Sequence, residues 1–152
     1  MPLDLYLETH KGIVLACHDV FLEYGGVILL VIRENYPKKG SLWPIGGRIE
    51  RGFNTERSLA KKVKSECNLN LSNCKLLGVA RTQFVTDPFG HGKGTDTLNV
   101  IFFARAKGRL KLDDLHVCPT IVKKEVYTKE FRQRLHPYVR DFMDISIPLL
   151  SH

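Results

Sequence analysis

The chain has 152 residues, of which 43% are hydrophobic and 26% are charged, proportions that are ordinary for a globular protein. The longest purely apolar run, Val27–Ile32, is far too short to span a membrane, and the first residues lack the basic and apolar regions of a secretory signal. We therefore expect one domain over residues 1–152, located in the cytoplasm and without a membrane partner.

Lysine and arginine outnumber aspartate and glutamate by 23 to 16, which gives a net charge of +7. Such an excess favours anionic partners such as phosphates and nucleotides. The basic residues form no long block, and no signature of a nucleic-acid-binding module accompanies them, so we expect no nucleic acid partner. The four cysteines form no CxxC pair, and we expect them to be reduced thiols.

The first half of the chain predicts a hairpin followed by a helix. A strand over Gly12–Phe21 leads to the paired glycines Gly25-Gly26, which tolerate the positive φ of a tight turn, and then to a strand over Val27–Arg33. Asn54–Cys67 has helical spacing of its apolar residues, and Asn54 is a suitable N-cap. This helix follows directly on a loop that contains two adjacent glycines.

The second half predicts three more strands and a second helix. The strands cover Leu76–Val85, Thr97–Ala106 and Ile121–Tyr127, and the helix covers Thr128–Ile145. Pro137 is expected to kink or interrupt that helix, because proline lacks an N–H group and clashes with the preceding turn. Strands around two separated helices predict an α/β fold with a mixed sheet packed between helices.

The loop before the first helix has features of a phosphate-binding site. Gly46-Gly47 lets the backbone approach anionic oxygens closely, and the helix that follows adds free N–H groups. Arg48 can clamp a phosphate with its planar guanidinium group. Glu66 lies at the edge of the apolar stripe, one turn after Lys62. Without the glycine loop, these two residues would be read as an ordinary helix ion pair.

The segment from Gly47 resembles the signature of the Nudix superfamily, G-x5-E-x7-R-E-U-x-E-E-x-G-U, where U is bulky and aliphatic. Three of its four glutamates are replaced, by Phe53, Lys62 and Ser65. The fourth is kept as Glu66. The chain therefore resembles a Nudix protein with a degenerate signature, and the resemblance implies an α/β/α sandwich with a mixed central sheet and two main helices.

The flanking segments resemble one branch, the GDP-mannose mannosyl hydrolases, which also have a depleted signature. The similar residues are Arg33, Pro37, the stretch Gly40–Trp43, the triplet Leu77-Gly78-Val79 and the stretch Gly94–Thr97. Enzymes of this branch attack the anomeric carbon of a nucleotide sugar and release a nucleoside diphosphate. The resemblance thus implies a hydrolase acting on a nucleoside-diphosphate sugar similar to GDP-mannose.

The resemblance also implies roles for individual residues. Glu66 and the carbonyl group of Gly47 would bind Mg²⁺, and Arg33 and Arg48 would hold the diphosphate and assist catalysis. Lys62 departs from the pattern, and it would either contact the diphosphate or replace the metal. Members of the branch are commonly dimers, so the resemblance makes a homodimer possible, although nothing in the sequence pattern indicates a dimer surface.

Two assignments stay open. The general base would be a histidine, either His116 or His91, because imidazole titrates near neutral pH. Trp43 would stack on a base or a sugar, or else pack in the core. The rival to the hydrolase is an inactive Nudix domain that binds a nucleotide or a protein partner, and the missing acidic residues favour it.

Overall fold

The fold is described from a computed structural model that covers residues 1–33, 41–112 and 116–151, without the side chains of 33 and 116–118. The helices are α1 (Leu3–Gly12), α2 (Thr55–Cys67), α3 (Lys129–Gln133) and α4 (Pro137–Ser146), with 3₁₀ turns at Lys124–Val126 and Ile147–Leu149. The strands are β1 (Leu15–Tyr24), β2 (Val27–Arg33), β3 (Leu42–Trp43), β4 (Ile45–Arg48), β5 (Asn70–Phe84), β6 (Thr95–Lys107) and β7 (His116–Val122).

The strands form one mixed sheet in the order β3-β2-β1-β6-β5, in which β4 also pairs with β1 and β7 with β2. β1 and β6 are parallel, and the other pairs are antiparallel. One edge of β1 pairs with two strands: Cys17–Val20 pair with β4, and Leu22–Tyr24 pair with β2. This division places Gly47 of β4 directly opposite His18 of β1.

The two faces of the sheet are covered by different helices. On one face, Leu59, Val63 and Cys67 of α2 are fully buried against the sheet. On the other face, Val139 and Met143 of α4 are fully buried in a second apolar cluster. The mixed sheet between helices confirms the predicted α/β/α sandwich.

The predicted central helix is confirmed as α2. The Asn54 side chain accepts a hydrogen bond from the Arg57 N–H at 2.9 Å. The helix ends at Cys67 and is capped by Asn68, which has a left-handed φ of 61°. The predicted C-terminal helix is divided into α3 and α4, because Pro137 occupies the first turn of α4 and His136 caps it. Proline is favourable at that position, since its missing N–H has no partner in a first turn.

Three sequence predictions are wrong in their bounds. A strand was expected over Leu76–Val85, but β5 covers Asn70–Phe84, because its first residues already pair with β6. A strand was expected from Gly12, but α1 extends to that residue and the strand begins at Leu15. A strand was expected over Ile121–Tyr127, but β7 ends at Val122 and a 3₁₀ turn follows. Within the described ranges, no helix is both long and apolar enough to cross a membrane.

Candidate functional site

The double glycine lies where three elements come close together. A Cβ atom on Gly46 would collide with the carbonyl oxygen of His18 and with Asp19. A Cβ atom on Gly47 would lie 2.8 Å from Cε of Lys62 and 3.1 Å from its Nζ. Neither glycine has a positive φ. Glycine is therefore required at Gly46 by the close approach of the β1 backbone, whereas at Gly47 a side chain would displace only the flexible end of Lys62.

A buried hydrogen-bond network fixes the loop between β4 and α2. Ser58 of α2 is 3% exposed, and its hydroxyl accepts a hydrogen bond from the Glu50 N–H at 2.9 Å. The same hydroxyl lies 2.8 Å from Nε2 of His18. Burial lowers the pKa of His18, which favours the neutral imidazole as the acceptor of the Ser58 proton. This network fixes the start of α2 relative to β1.

The predicted metal ligand Glu66 is buried, at 4% exposure, on the side of α2 that faces the sheet. Its Oε1 lies 3.0 Å from Nζ of Lys62, whose side chain is 37% exposed. The ammonium group of Lys62 therefore lies against the Glu66 carboxylate, and it also lies 3.1 Å from the position that a Cβ atom on Gly47 would take. The structure brings the two predicted metal ligands, Gly47 and Glu66, close to the same lysine ammonium group.

The described side chains do not fit a Mg²⁺ ion. Within the described residues, no group of three or more His, Cys, Asp and Glu side chains could hold a metal. Of the nearby carboxylates, Glu66 is paired with Lys62, and both oxygens of Glu50 lie 2.9 Å from Nζ of Lys61. At about 4 Å, a divalent cation and an ammonium group repel by roughly 2 kcal/mol in water and by about 8 kcal/mol near a protein surface.

Arg48 is positioned by the N-terminal helix. Its guanidinium carbon lies 4.2 Å from the centroid of the Tyr6 ring, and its Nη1 lies 3.9 Å from the sulfur of Met1. A cation above an aromatic face is attracted by the ring quadrupole. The exposed Arg48 side chain is thus held toward α1, on the same side of the molecule as Lys62.

A cavity of about 610 Å³ lies between α1, β4 and α2. Its lining residues are Met1, Thr9, Leu15, Ala16, Arg48, Ile49, Glu50, Arg51, Ser58, Lys61, Lys62 and Ser65. Four of these side chains are cationic and one is anionic, and the single anion, Glu50, is paired with Lys61. The cavity therefore has a positive lining next to the glycine loop.

His91, one of the two predicted bases, lies outside this lining. Its Nε2 is 2.7 Å from Nδ1 of His10, and its Nδ1 is 3.4 Å from Oδ2 of Asp87. The His10 ring also contacts Phe89 edge-on, with 4.8 Å between centroids. His91 thus connects the loop after β5 to α1, and its predicted role as a base stays a prediction.

Trp43 does not reach the cavity either. It is 4% exposed and stacks on Tyr138 with 5.4 Å between ring centroids, in the apolar cluster on the face covered by α4. Phe84 meets the same ring edge-on. This burial favours core packing over the alternative of stacking on a ligand.

Arg33 and His116 are cross-strand neighbours in the register of β2 and β7. Their side chains lie outside the described residues, so their predicted roles stay predictions. Pro37 and Gly40, which contribute to the resemblance, also lie outside the described residues.

Four residues of this region were not predicted from the sequence: Tyr6, His10, His18 and Ser58. A local signal for α1 was available: Pro2 precedes it, Asp4 lies in its first turn, His10 and Lys11 lie in its last turn, and Gly12 ends it. The contacts of His18 with Ser58 have no such signal, because 40 residues separate the two.

The solved structures that are similar to this chain include Nudix hydrolases. The MutT NUDIX hydrolase from Burkholderia pseudomallei has a TM-score of 0.68 and 17% identity, over 87% of this chain and 97% of the other. The NUDIX hydrolase from Nitrosomonas europaea has a TM-score of 0.65 and 16% identity, over 92% and 97%. No family model matches the sequence, and no curated protein matches it.

A third similar structure is a bifunctional NMN adenylyltransferase/ADP ribose pyrophosphatase from Francisella tularensis, in complex with AMP and a manganese ion. Its TM-score is 0.65 and its identity is 14%, over 93% of this chain and 43% of the other. At these identities, the similarities concern the fold, and they show that this chain has the Nudix fold.

Proposed function

We propose that this chain hydrolyses a nucleoside-diphosphate sugar similar to GDP-mannose, with the diphosphate bound in the cavity between α1, β4 and α2. The observation that carries the proposal is the position of Arg48 and Lys62 on the wall of that cavity, beside the Gly47 backbone. These groups are suited to bind two adjacent phosphates.

The charges of the lining support an anionic ligand. Lys61 and Glu50 neutralise each other, and Glu66 lies buried behind Lys62. Arg48 and Arg51 have no acidic neighbour among the lining residues other than Glu50. A volume of about 610 Å³ is within the range of cavities that bind small molecules.

The proposed reaction breaks the bond between the anomeric carbon and the oxygen of the β-phosphate. The oxygen of a water molecule forms the new bond to that carbon, its proton passes to a base, and the diphosphate leaves with the bonding electron pair. Cationic groups stabilise the negative charge that develops on the leaving diphosphate. Arg48 and Lys62 are the described residues positioned for this role, and His116 is the base that the resemblance suggests.

Mg²⁺ is the cofactor that the resemblance implies, and when bound to such a site it would neutralise charge on the diphosphate. The described side chains do not fit it, as the Lys62–Glu66 pair shows, and no step of the proposed reaction depends on it. The possible homodimer and the cytoplasmic location stay predictions.

The second candidate is an inactive domain that binds a nucleotide without hydrolysing it. The observation that favours it is the same ion pair, because Glu66 is engaged by Lys62 at 3.0 Å. Both candidates bind the same class of ligand, but only the first hydrolyses it.

A panel of nucleotide sugars separates the two candidates. Each sugar is incubated with the protein in Mg²⁺ and in EDTA, and ³¹P NMR identifies the products. Free sugar with a nucleoside diphosphate supports attack at carbon, whereas a sugar phosphate indicates attack at phosphorus and contradicts the mechanism. Binding of GDP without turnover of any sugar supports the inactive domain.

Two arginine variants test the cavity as the site. Arg48→Met should weaken GDP binding by roughly tenfold, as expected for the loss of a hydrogen bond between charged groups. Arg57→Met is the matched control, because Arg57 lies on α2 outside the cavity lining, beside Phe53. Equal affinities in the two variants would place the ligand elsewhere.

A further inference from the structure

We propose that the ammonium group of Lys62 takes the place of a divalent cation in this site, so that the chain binds the diphosphate of its ligand without a metal. Exclusion of the metal by Lys62 does not depend on the proposed function, whereas binding of the diphosphate rests on it.

The position of the Lys62 side chain is the first observation. Lys62 and Glu66 are one turn apart on α2, and Nζ is 3.0 Å from Oε1. The end of the same side chain lies against Gly47, where a Cβ atom would be 3.1 Å from Nζ. One positive group therefore occupies the space beside both of the residues that were predicted to ligate Mg²⁺.

The burial of the carboxylate is the second observation. Glu66 is 4% exposed, and a buried carboxylate is stable as an anion only with a compensating charge or hydrogen bonds. Lys62 supplies that charge within the chain. A divalent ion at Glu66 would have to displace or approach this ammonium group, which opposes binding by repulsion.

The accessibility of the ammonium group is the third observation. The side chain of Lys62 is 37% exposed, and Lys62 lines the cavity, whereas Glu66 is not among the lining residues. A lysine ammonium group has three N–H donors. It can donate to Glu66 and still donate to a phosphate oxygen from the cavity side.

The first test measures metal binding directly, without substrate or turnover. Mn²⁺ is titrated into the wild-type protein and followed by its EPR signal, and the signal of free aqueous Mn²⁺ is expected throughout. Binding of one Mn²⁺ ion that is lost in Glu66→Gln would show that Glu66 is a metal ligand and would overturn the proposal.

The Lys62→Glu variant converts the position to the residue of the Nudix signature. It should bind Mn²⁺ at least tenfold more tightly than wild type, because two carboxylates then lie one turn apart beside the Gly47 backbone. Equal Mn²⁺ binding in the folded variant and in wild type would show that Lys62 is not what keeps the metal out, and would contradict the proposal.

The third test uses GDP as the ligand, with calorimetry in EDTA and in Mg²⁺. Wild type should bind GDP in EDTA, and Mg²⁺ should not strengthen the binding. Lys62→Gln should weaken it roughly tenfold. Lys64→Gln, with the same charge change on the same helix but outside the cavity lining, should bind like wild type.

The outcomes of these tests separate the two proposals. A requirement for Mg²⁺ in GDP binding would overturn the replacement of the metal by Lys62. Failure of wild type to bind any nucleotide would refute the proposed function, while the Mn²⁺ measurements would still decide the role of Lys62. Lys62→Gln removes the charge that compensates Glu66, but it keeps an N–H donor at this position and adds no negative charge beside the carboxylate. It is therefore the milder change and gives a result even if Lys62→Glu does not fold.

Discussion

Tyr138 of α4 donates a hydrogen bond of 2.5 Å to Oδ2 of Asp19 in β1, across 119 residues of the chain. Both residues are 7% exposed. Burial, followed by the charge of Asp19, raises the pKa of Tyr138 well above its ordinary value of 10.0. The hydroxyl group is therefore protonated at neutral pH and donates to Asp19, which connects the C-terminal helix to the middle of the sheet.

Tyr138→Phe should lower the free energy of unfolding by about 1.5–3 kcal/mol, the usual contribution of a hydrogen bond to a charged group. The variant keeps the ring that stacks on Trp43, so the loss reports mainly on the contact with Asp19. Urea unfolding at pH 7 measures the difference, provided that the denaturant dependence is unchanged.

Tyr127→Phe is the matched control for this hydrogen bond. Tyr127 donates to Asp144 at 2.7 Å, but Asp144 is more exposed and also accepts two hydrogen bonds from Arg132, at 2.7 and 2.6 Å. Loss of the Tyr127 hydrogen bond should lower the free energy of unfolding by less than about 1 kcal/mol. Equal losses in the two variants would mean that the burial of Asp19 does not strengthen its hydrogen bond.

The parts of the fold that were predictable are those in which local signals agree. For α2, the N-cap Asn54, the apolar stripe and the terminal Asn68 all indicate the same bounds, and the helix covers Thr55–Cys67 as expected. The helix α1 was missed although signals of its two ends are present, because Leu3 and Leu5 are two residues apart and do not form a helical stripe. Both side chains are exposed in the structure. The helix is held by contacts of Tyr6 and His10 with distant loops.

In the candidate site, too, the contacts between residues close in sequence were predictable and the long-range contacts were not. Lys62 and Glu66 could be paired from the sequence, because residues four apart on a helix are neighbours. The contacts of Tyr6 with Arg48 and of His10 with His91 span 42 and 81 residues, and only the folded chain brings them together. The glycine loop and the ion pair were therefore predicted from the sequence, whereas the helix α1, which contributes Thr9 to the cavity lining, was not.

The two glycines of the loop should respond differently to alanine. Gly46→Ala should lower the free energy of unfolding by roughly 3 kcal/mol or more, because its Cβ meets the His18 backbone, which cannot move independently of the sheet. Gly47→Ala should cost less than about 1 kcal/mol, because its Cβ meets only the flexible end of Lys62. Thermal and urea unfolding of both variants check this order.

Gly47→Ala should nevertheless weaken GDP binding several-fold, because the new methyl group displaces the Lys62 ammonium from its position beside Glu66. Gly78→Ala is the control, since its Cβ would make only an ordinary contact of 3.5 Å with Phe142 on the other face of the sheet. Unchanged GDP affinity in Gly47→Ala would argue against a role for this lysine in holding the ligand.

The ring of Tyr6 should contribute to ligand binding through Arg48. Tyr6→Leu removes the cation–π contact, which is worth about 0.5–1 kcal/mol at an exposed site, so GDP affinity should fall by roughly two- to fivefold. Phe131→Leu removes a longer contact, 5.5 Å from Arg134, far from the cavity. Calorimetry should find GDP affinity unaltered in that control.

The contact between His10 and His91 predicts acid sensitivity. Burial, followed by the charge of His91, lowers the pKa of His10 below its ordinary value of 6.5, and burial lowers that of His18 in the same direction. Below about pH 6.5 the unfolded chain then binds more protons than the folded chain. The free energy of unfolding should therefore fall as the pH is lowered from 7 to 5, by at most about 1.4 kcal/mol per pH unit for each group.

His10→Asn tests the contribution of this contact, because the amide can hydrogen-bond to His91 without titrating in this range. The fall in stability between pH 7 and 5 should become shallower but should persist, since His18 still titrates. Asp87 titrates at lower pH than this range. Burial raises its pKa, but hydrogen bonds from the Gly92 and Phe89 N–H groups, the charge of His91 and a hydrogen bond from the Gly90 N–H outweigh that effect and hold the pKa below its ordinary 3.8. An unchanged pH dependence in His10→Asn would exclude the histidine contact as a source of the acid sensitivity.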